Sequence, residues 1–176
     1  MNFQTELLTD TNRLKEVFDL RVDAWEHSTN SEFVNRELFP EGWFDNLDAT
    51  GIIFIITHNT KIIASARLNC FDNLNEFPFY EEIKYIHLPC EFPYGYYSRL
   101  VVDKDYQGQG LSKKLDEVVL EYAKSLKLRW VIGLSSDRTD YMIARLDFAK
   151  YGSAHIKYNS FTEGHEVNII VKLILL

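Results

Sequence analysis

Cysteine is scarce in this chain: there are two among 176 residues, Cys70 and Cys90. Their contexts are unrelated, they form no CxxC pair, and they are too few for a disulfide framework. Both are expected to be free thiols, so the fold must rest on an apolar core. Positive charge is also short, with 19 Lys and Arg against 26 Asp and Glu, a net charge of −7 and a pI near 5.2. A domain that grips nucleic-acid phosphates carries a basic face, and nothing here suggests one, which sets nucleic acid aside as a partner. The five histidines, His27, His58, His87, His155 and His165, show no HxxxH or HExxH spacing, which argues against a metal site. Long hydrophobic runs are missing too. The opening MNFQTELLTDTNRLK lacks the apolar core of a signal peptide. The most apolar stretch, VNIIVKLILL, is only ten residues long and contains Lys172, too short to span a bilayer and better read as a buried terminal strand. No membrane association and a cytoplasmic location are the expectations.

What is present is ordinary globular material: 46% hydrophobic and 26% charged, with no low-complexity tract. No linker or repeat divides it, and the length suits one domain spanning residues 1–176. Phe3 to Leu8 reads as a short strand. Thr9 or Thr11 can cap a helix on which Leu14, Val17, Phe18, Val22 and Trp25 recur at helical spacing. Residues 28–50 read as irregular, with a turn at 39–43 and room for a short helix. GIIFIITH and KIIASARLNC, separated by Asn59-Thr60, read as a hairpin. Residues 71–93 are aromatic, acidic and broken by proline, the composition of a long excursion.

The second half begins with a strand from Tyr96 to Val102. Gly108 and Gly110 break it, and Leu111, Leu115, Val118, Tyr122 and Leu126 then trace an amphipathic helix. A strand at Trp130–Leu134 follows, then a helix from about Thr139 to Tyr151, capped by Ser136 or Asp137 and ended by Gly152. Strands at Ala154–Tyr158 and Glu166–Leu175, joined near Gly164, close the chain. This order predicts an α/β (in some schemes α+β) fold with a mixed, largely antiparallel sheet and helices on both faces.

The chemistry concentrates in RLVVDKDYQGQGLSKKL, residues 99–115. A buried strand enters a loop with two glycines one residue apart, and a helix starts at once. Glycine lets the backbone approach a ligand closely, and the first helical turn offers unpaired N–H groups with about half a positive charge. Together they suit a phosphate or pyrophosphate, with Lys113 and Lys114 adding charge. A dinucleotide-binding fingerprint would need a third glycine where Lys113 stands, and a Walker A loop needs four residues between its glycines followed by Gly-Lys-Ser/Thr; both fail.

Residues 98–115 resemble the cofactor-binding motif of the GNAT superfamily, in which an apolar strand is followed by Gln/Arg-x-x-Gly-x-Gly/Ala. Here Gln107, Gly108, Gln109, Gly110, Leu111 and Ser112 fill the six positions, and Ser112 departs from Gly/Ala. The element order, including a hairpin before the motif strand, is similar to the same fold. The resemblance implies an N-acetyltransferase or acyltransferase with acetyl-CoA or another acyl-CoA as co-substrate, no metal, and a small-molecule or peptide amine as acceptor. A homodimer remains open. By that resemblance the main chain of Leu100, Val101 and Val102 pairs with the pantetheine arm, and N–H groups from Gln107 to Lys113 hold the pyrophosphate. A splay between the motif strand and the Trp130–Leu134 strand admits the thioester.

An amine must lose a proton before attacking the thioester, and the leaving thiolate can be protonated. In the family a tyrosine on the next helix usually does the latter. At the matching position stands Phe148, with Tyr141, Ala144, Gly152 and Ser153 aligned around it, so the candidate acids are Tyr141 and Tyr151. No base is singled out: Ser98 holds the strand position that is often acidic, and Glu81, Glu82 and Glu91 lie in the long loop. Phe77, Phe79, Tyr80, Tyr94, Tyr96 and Tyr97 either line an acceptor pocket or form core beneath that loop, the second being favoured. Two alternatives stand beside the main reading. Arg21-Val-Asp-Ala-Trp25, Ser65-Ala-Arg67-Leu68 and Ser98-Arg99-Leu100 look faintly like segments of acyl-homoserine-lactone synthases, which take acyl groups from a carrier protein. The missing motif tyrosine motivates a module that binds acyl-CoA without turnover.

Overall fold

The computed structural model describes residues 2–28, 31–89, 92–157 and 164–175. Seven strands form one sheet with hydrogen-bonded order β1-β2-β3-β4-β5-β7-β6. β4 and β5 run parallel, whereas β1–β2, β2–β3, β5–β7 and β6–β7 are antiparallel. The strands are β1 (Gln4–Leu7), β2 (Ile52–His58), β3 (Lys61–Phe71), β4 (Tyr94–Val102), β5 (Trp130–Ser135), β6 (Ala149–Ile156) and β7 (His165–Leu173). The helices are α1 (Leu14–Glu26), α2 (Tyr80–Ile83), α3 (Leu111–Ser125) and α4 (Thr139–Leu146). Two compact units divide the chain: Met1–Asn69 with Arg99–Val119, and Cys70–Ser98 with Leu120–Leu176. β4 and α3 each pass from one unit into the other.

In the first unit, α1 is entered through a 3-10 turn at Thr11–Arg13, where the side chain of Asp10 accepts from the Asn12 N–H at 3.0 Å. The cap is therefore Asp10 rather than Thr9 or Thr11, since its carboxylate reaches the free amide two residues on. Val17 and Leu20 of α1 pack on Ile53 and Ile55 of β2, Ile62 of β3 and Val101 of β4. The β2–β3 hairpin turns through Asn59 and Thr60, both at positive φ (49° and 72°), the backbone that a two-residue turn between twisted strands requires.

In the second unit the excursion folds as core. Phe77, Tyr94, Tyr96 and Tyr97 are buried, with the Phe77 and Tyr96 rings edge-on at 5.0 Å and Phe71 stacked on Tyr94 at 5.5 Å. Burial raises the Tyr94 phenol, with the charge of Glu76 adding to the shift.

Three sequence-based boundaries differ from the structure. α4 has no side-chain cap from Ser136 or Asp137 and stops at Leu146, because Asp147 adopts a left-handed conformation (φ 59°) and its N–H turns back to the Met142 carbonyl. Aspartate tolerates that conformation better than most residues, so no glycine was needed. Residues 149–151 consequently lie in β6, not on the helix. On α3 the buried stripe is Leu111, Leu115, Val119 and Ala123, while Leu126 lies beyond the helix and is 39% exposed. Of the C-terminal strands, the turn expected near Gly164 and the residue Tyr158 fall outside the described residues, apart from Gly164 itself.

Candidate functional site

Within the first unit, β4 ends at Val102 and the Asp103 N–H bonds the Ile63 carbonyl at 2.8 Å. The Asp103 side chain then caps a 3-10 turn at Lys104–Tyr106, accepting from the Asp105 N–H at 3.0 Å and pairing with Lys61 at 2.7 Å. These bonds anchor the start of the loop. Gln107 to Gly110 follow, all exposed, with Gly108 at φ 76° and Gly110 at φ 77°. A Cβ at either glycine would meet no heavy atom of the described residues within 4 Å. Glycine is required there by backbone conformation and not by packing, so the main chain stands open to solvent. Helix α3 starts at Leu111, and Lys114 N–H makes a bond to the Gly110 carbonyl (3.1 Å). The amides of the first turn ahead of it have no acceptor one turn back in the helix.

The side chains sort themselves around this cradle. Leu111 is buried and pins the first turn; Ser112 is partly buried. Lys113 is exposed and sits 3.8 Å from Glu117, a loose surface pair. Lys114 instead reaches the Phe3 carbonyl at 3.4 Å, so of the two lysines it is Lys113 whose charge is free to face an anion. Leu100 and Val102 are partly buried and Val101 is buried. The parallel ladder of β4 with β5 runs from Tyr94↔Trp130 to Tyr97↔Gly133 and stops, while β5 continues to Ser135 paired with β7. Two residues beyond that stop β4 is kinked: Arg99 has φ 58°.

The tyrosines proposed as acids separate. Tyr141 is partly buried on α4, with the Arg138 guanidinium 5.1 Å from its ring centroid. Tyr151 is 39% exposed in β6, at the point where the β6–β7 register slips between Lys150 and Gly152. Phe148 is buried. Glu81 and Glu82 are exposed on α2, Glu81 paired with Lys84, and Glu91 lies outside the described residues. Cys70 is a free thiol raised by burial and by the charge of Asp72; Cys90 lies outside the described residues.

Sequence reasoning missed the densest electrostatic feature of the first unit. Arg21 of α1, Arg67 of β3 and Arg99 of β4 surround Asp45 and Asp48. Arg21 lies 2.9 Å and Arg67 2.8 Å from Asp48, Arg67 bonds Asp45 at 2.6 Å, and Arg99 bonds the other oxygen of Asp45. Asp45 also caps a 3-10 turn at Asn46–Ala49, where Asp48 returns a bond to the Asp45 N–H, a reciprocal capping box. The Arg99 guanidinium stacks 3.6 Å from the Trp43 ring centroid. Burial pushes the Asp45 carboxyl up, but the Arg67 hydrogen bond and the Arg99 and Arg67 charges outweigh it and hold it well below the usual carboxylate range. The three arginines each stand in a segment that the sequence singles out; the two aspartates lie in a segment that reads only as irregular.

Gly51 is part of this arrangement. A Cβ there would stand 2.7 Å from Arg67 Cδ and 2.8 Å from the Leu47 carbonyl oxygen. Gly51→Ala is therefore expected to displace the Arg67 stem and cost about 1–3 kcal/mol, read as a lowered thermal midpoint. An unchanged midpoint would show that the Asn46–Ala49 turn yields freely.

A parallel strand feeding a glycine loop and a helix N-terminus, within a mixed sheet, is an arrangement suited to an anion. The family model described as "Acetyltransferase (GNAT) family" matches residues 14–148, and the chain belongs to that family. No curated protein sequence matches it. Among solved structures, the ribosomal-protein-S18-alanine N-acetyltransferase from Escherichia coli superposes with a TM-score of 0.65 at 16% identity, covering 99% of this chain and 96% of that one. The AHL synthase LasI gives 0.69 at 14% identity, covering 97% and 89%. FeeM, an N-acyl amino acid synthase from uncultured soil microbes, gives 0.67 at 12% identity, covering 98% and 91%. These likenesses establish the fold. Among the described residues no helix is long and apolar enough to cross a membrane, and no group of three or more His, Cys, Asp or Glu is placed to hold a metal ion.

Proposed function

We propose that the protein is an N-acyltransferase that moves an acyl group from acetyl-CoA or another acyl-CoA to an amine by direct attack on the thioester. The observation that carries this is the exposed loop from Gln107 to Gly110, whose two glycines hold the backbone at positive φ with nothing over them, directly before the free amides of α3. Those amides and Lys113 would hold the pyrophosphate. The main chain of Leu100 to Val102, beyond the end of the β4–β5 ladder, would pair with the pantetheine arm as an added strand does. An amide N–H on that strand would receive the oxyanion. A departing thiol has a pKa of about 8.5, so leaving unprotonated at neutral pH costs roughly 2 kcal/mol, and turnover does not demand a hydroxyl at Phe148.

The test is CoA release from acetyl-CoA and longer acyl-CoAs with pooled amines, beside calorimetric titration of CoA. Binding without release for any amine would favour a module over an enzyme. Removing an exposed phosphate-facing charge should weaken binding in a screened way. Lys113→Ala is expected to raise the CoA dissociation constant by about three- to tenfold at low ionic strength and by much less at roughly 0.5 M salt. A wild-type affinity that ignores salt would count against phosphate held at this exposed turn.

A second reading has its own observation. Arg21, Arg67 and Arg99, the residues that look like acyl-homoserine-lactone synthase segments, meet in one buried network with Asp45 and Asp48. In that reading the acyl donor is a carrier protein. Supplying the same acyl group on CoA and on a carrier protein, and comparing rates, separates the two.

A further inference from the structure

The network in the first unit holds three guanidinium groups and two carboxylates, which leaves one positive charge in excess among these five groups, and its centre is buried. Arg21 is fully buried, Arg67 is 1% exposed and the Asp48 side chain 5%. Burying a charge without a partner is costly, so a surplus cation in such a place calls for an anion.

The geometry of Arg21 shows what kind. Its Nη1 is engaged, donating to the Trp43 carbonyl at 3.2 Å and to Asp48 at 3.0 Å. Its Nε and Nη2 are buried and have no hydrogen-bond partner among the described residues. These two nitrogens form one edge of the guanidinium plane, with two parallel N–H vectors. The same edge elsewhere in the chain grips a carboxylate: Arg13 Nε and Nη2 hold the two oxygens of Glu16 at 2.8 and 2.9 Å. On Arg21 the fork is intact and empty-handed. Ser65 Oγ and Asn69 Oδ1 are among the other buried atoms of this unit that have no hydrogen-bond partner among the described residues. Ser65 and Arg67 stand opposite Ile55 and Ile53 in the β2–β3 register, and those isoleucines pack against α1, the helix that carries Arg21. Ser65, Arg67 and, by alternation, Asn69 thus share the face that α1 covers. Water would satisfy hydrogen bonds there but would leave the surplus charge as it is.

We propose that Arg21 receives a carboxylate of the acceptor, so that the amine acylated by this protein is an α-amino acid or another amine that carries a carboxylate. This rests on the reading of the chain as an amine acyltransferase. Two placements support it. Asp45, with its side chain 31% exposed, marks the side on which the cluster reaches solvent, next to Phe44 at 54%. Arg99 carries the cluster to the kink of β4, two residues before Val101 on the strand assigned to the thioester. Burial pushes the Arg21 guanidinium down to about 10, with Asp48 opposing the shift and Arg99 and Arg67 adding to it, the response of a cation short of an anion.

The experiment is a thermal-shift and calorimetric comparison on the full chain without any acyl donor, using the common L-amino acids, each beside its own carboxamide. At least one amino acid is expected to bind about tenfold or more tightly than its amide, because the amide offers the fork no charge. Arg21→Lys keeps the charge and removes the fork, and Arg21→Gln removes both; in each the ratio of amide to acid dissociation constants is expected to fall towards one. The wild-type comparison stands even where a variant fails to fold. Equal binding of acid and amide, or no binding by any amino acid, overturns the proposal, as does binding of inorganic phosphate that excludes every amino acid. Acyl-CoA titrated into the same samples keeps the readings apart. Turnover with carboxylate-free amines but no amino-acid binding sinks this proposal alone. Amino-acid binding without acyl-CoA binding sustains the carboxylate site and sinks the acyl-CoA reading.

Discussion

Gly110→Val is expected to weaken CoA binding by at least about a hundredfold, roughly 2.7 kcal/mol, while costing only about 1–2 kcal/mol of fold stability. The asymmetry follows from the surroundings. Gly110 has φ 77°, which a β-branched residue resists, yet its missing Cβ faces open space, so no core packing is lost. To relieve the strain the loop must leave positive φ, which rotates the amides at the start of α3 away from a common focus. Gly108→Val, at φ 76°, is expected to act in the same direction. Calorimetric titration of CoA together with thermal denaturation reads both quantities from one preparation. Unchanged CoA affinity in Gly110→Val would place the donor site elsewhere.

The second large effect belongs to the buried network. Asp48→Asn is expected to destabilise the protein by about 3–5 kcal/mol, because it leaves the buried Arg21 and Arg67 facing a neutral amide. For a chain of this size that corresponds to a fall in thermal midpoint on the order of 6–20 °C. A loss no larger than that of an exposed substitution would mean that the network is hydrated and weak. Asp45 adds a dependence on pH. Its folded pKa is depressed, so its stabilisation is present above the unfolded carboxylate value, about 3.9, and is lost as pH falls through the folded value. Stability of Asp45→Asn should therefore fall less steeply than wild type as acid is added below about pH 4. Parallel acid profiles of the two proteins would refute the assignment.

Gly108 and Gly110 stand out in the sequence because a left-handed backbone position, a strand end and a helix start all lie within a few residues. Their consequences are local, and local backbone preference survives folding unchanged. The Asn59-Thr60 turn was legible for the same reason. Asp45 and Asp48 were not, because what gives them meaning is pairing with Arg21, Arg67 and Arg99 across as many as 54 residues of chain, and no spacing rule reports such a partner. The end of α4 was misplaced by preferring Gly152 to Asp147 as the left-handed stop. That choice carried Tyr151 onto a helix, whereas it lies in β6.

By itself, then, the sequence determined the elements whose causes are short-range: the hairpin, the motif strand, the glycine loop, the helix behind it and, through that string of residues, the family. Tertiary structure alone decided which charges meet. It gathered three arginines, two of them buried, around two aspartates, sent Lys114 to the Phe3 carbonyl and left Lys113 exposed, and turned the aromatic excursion into core. The physical reason is the range of the interactions. Backbone conformation is set by a residue and its neighbours, whereas the energy of a buried charge depends on which distant groups the fold brings within hydrogen-bonding distance and on how completely it excludes water.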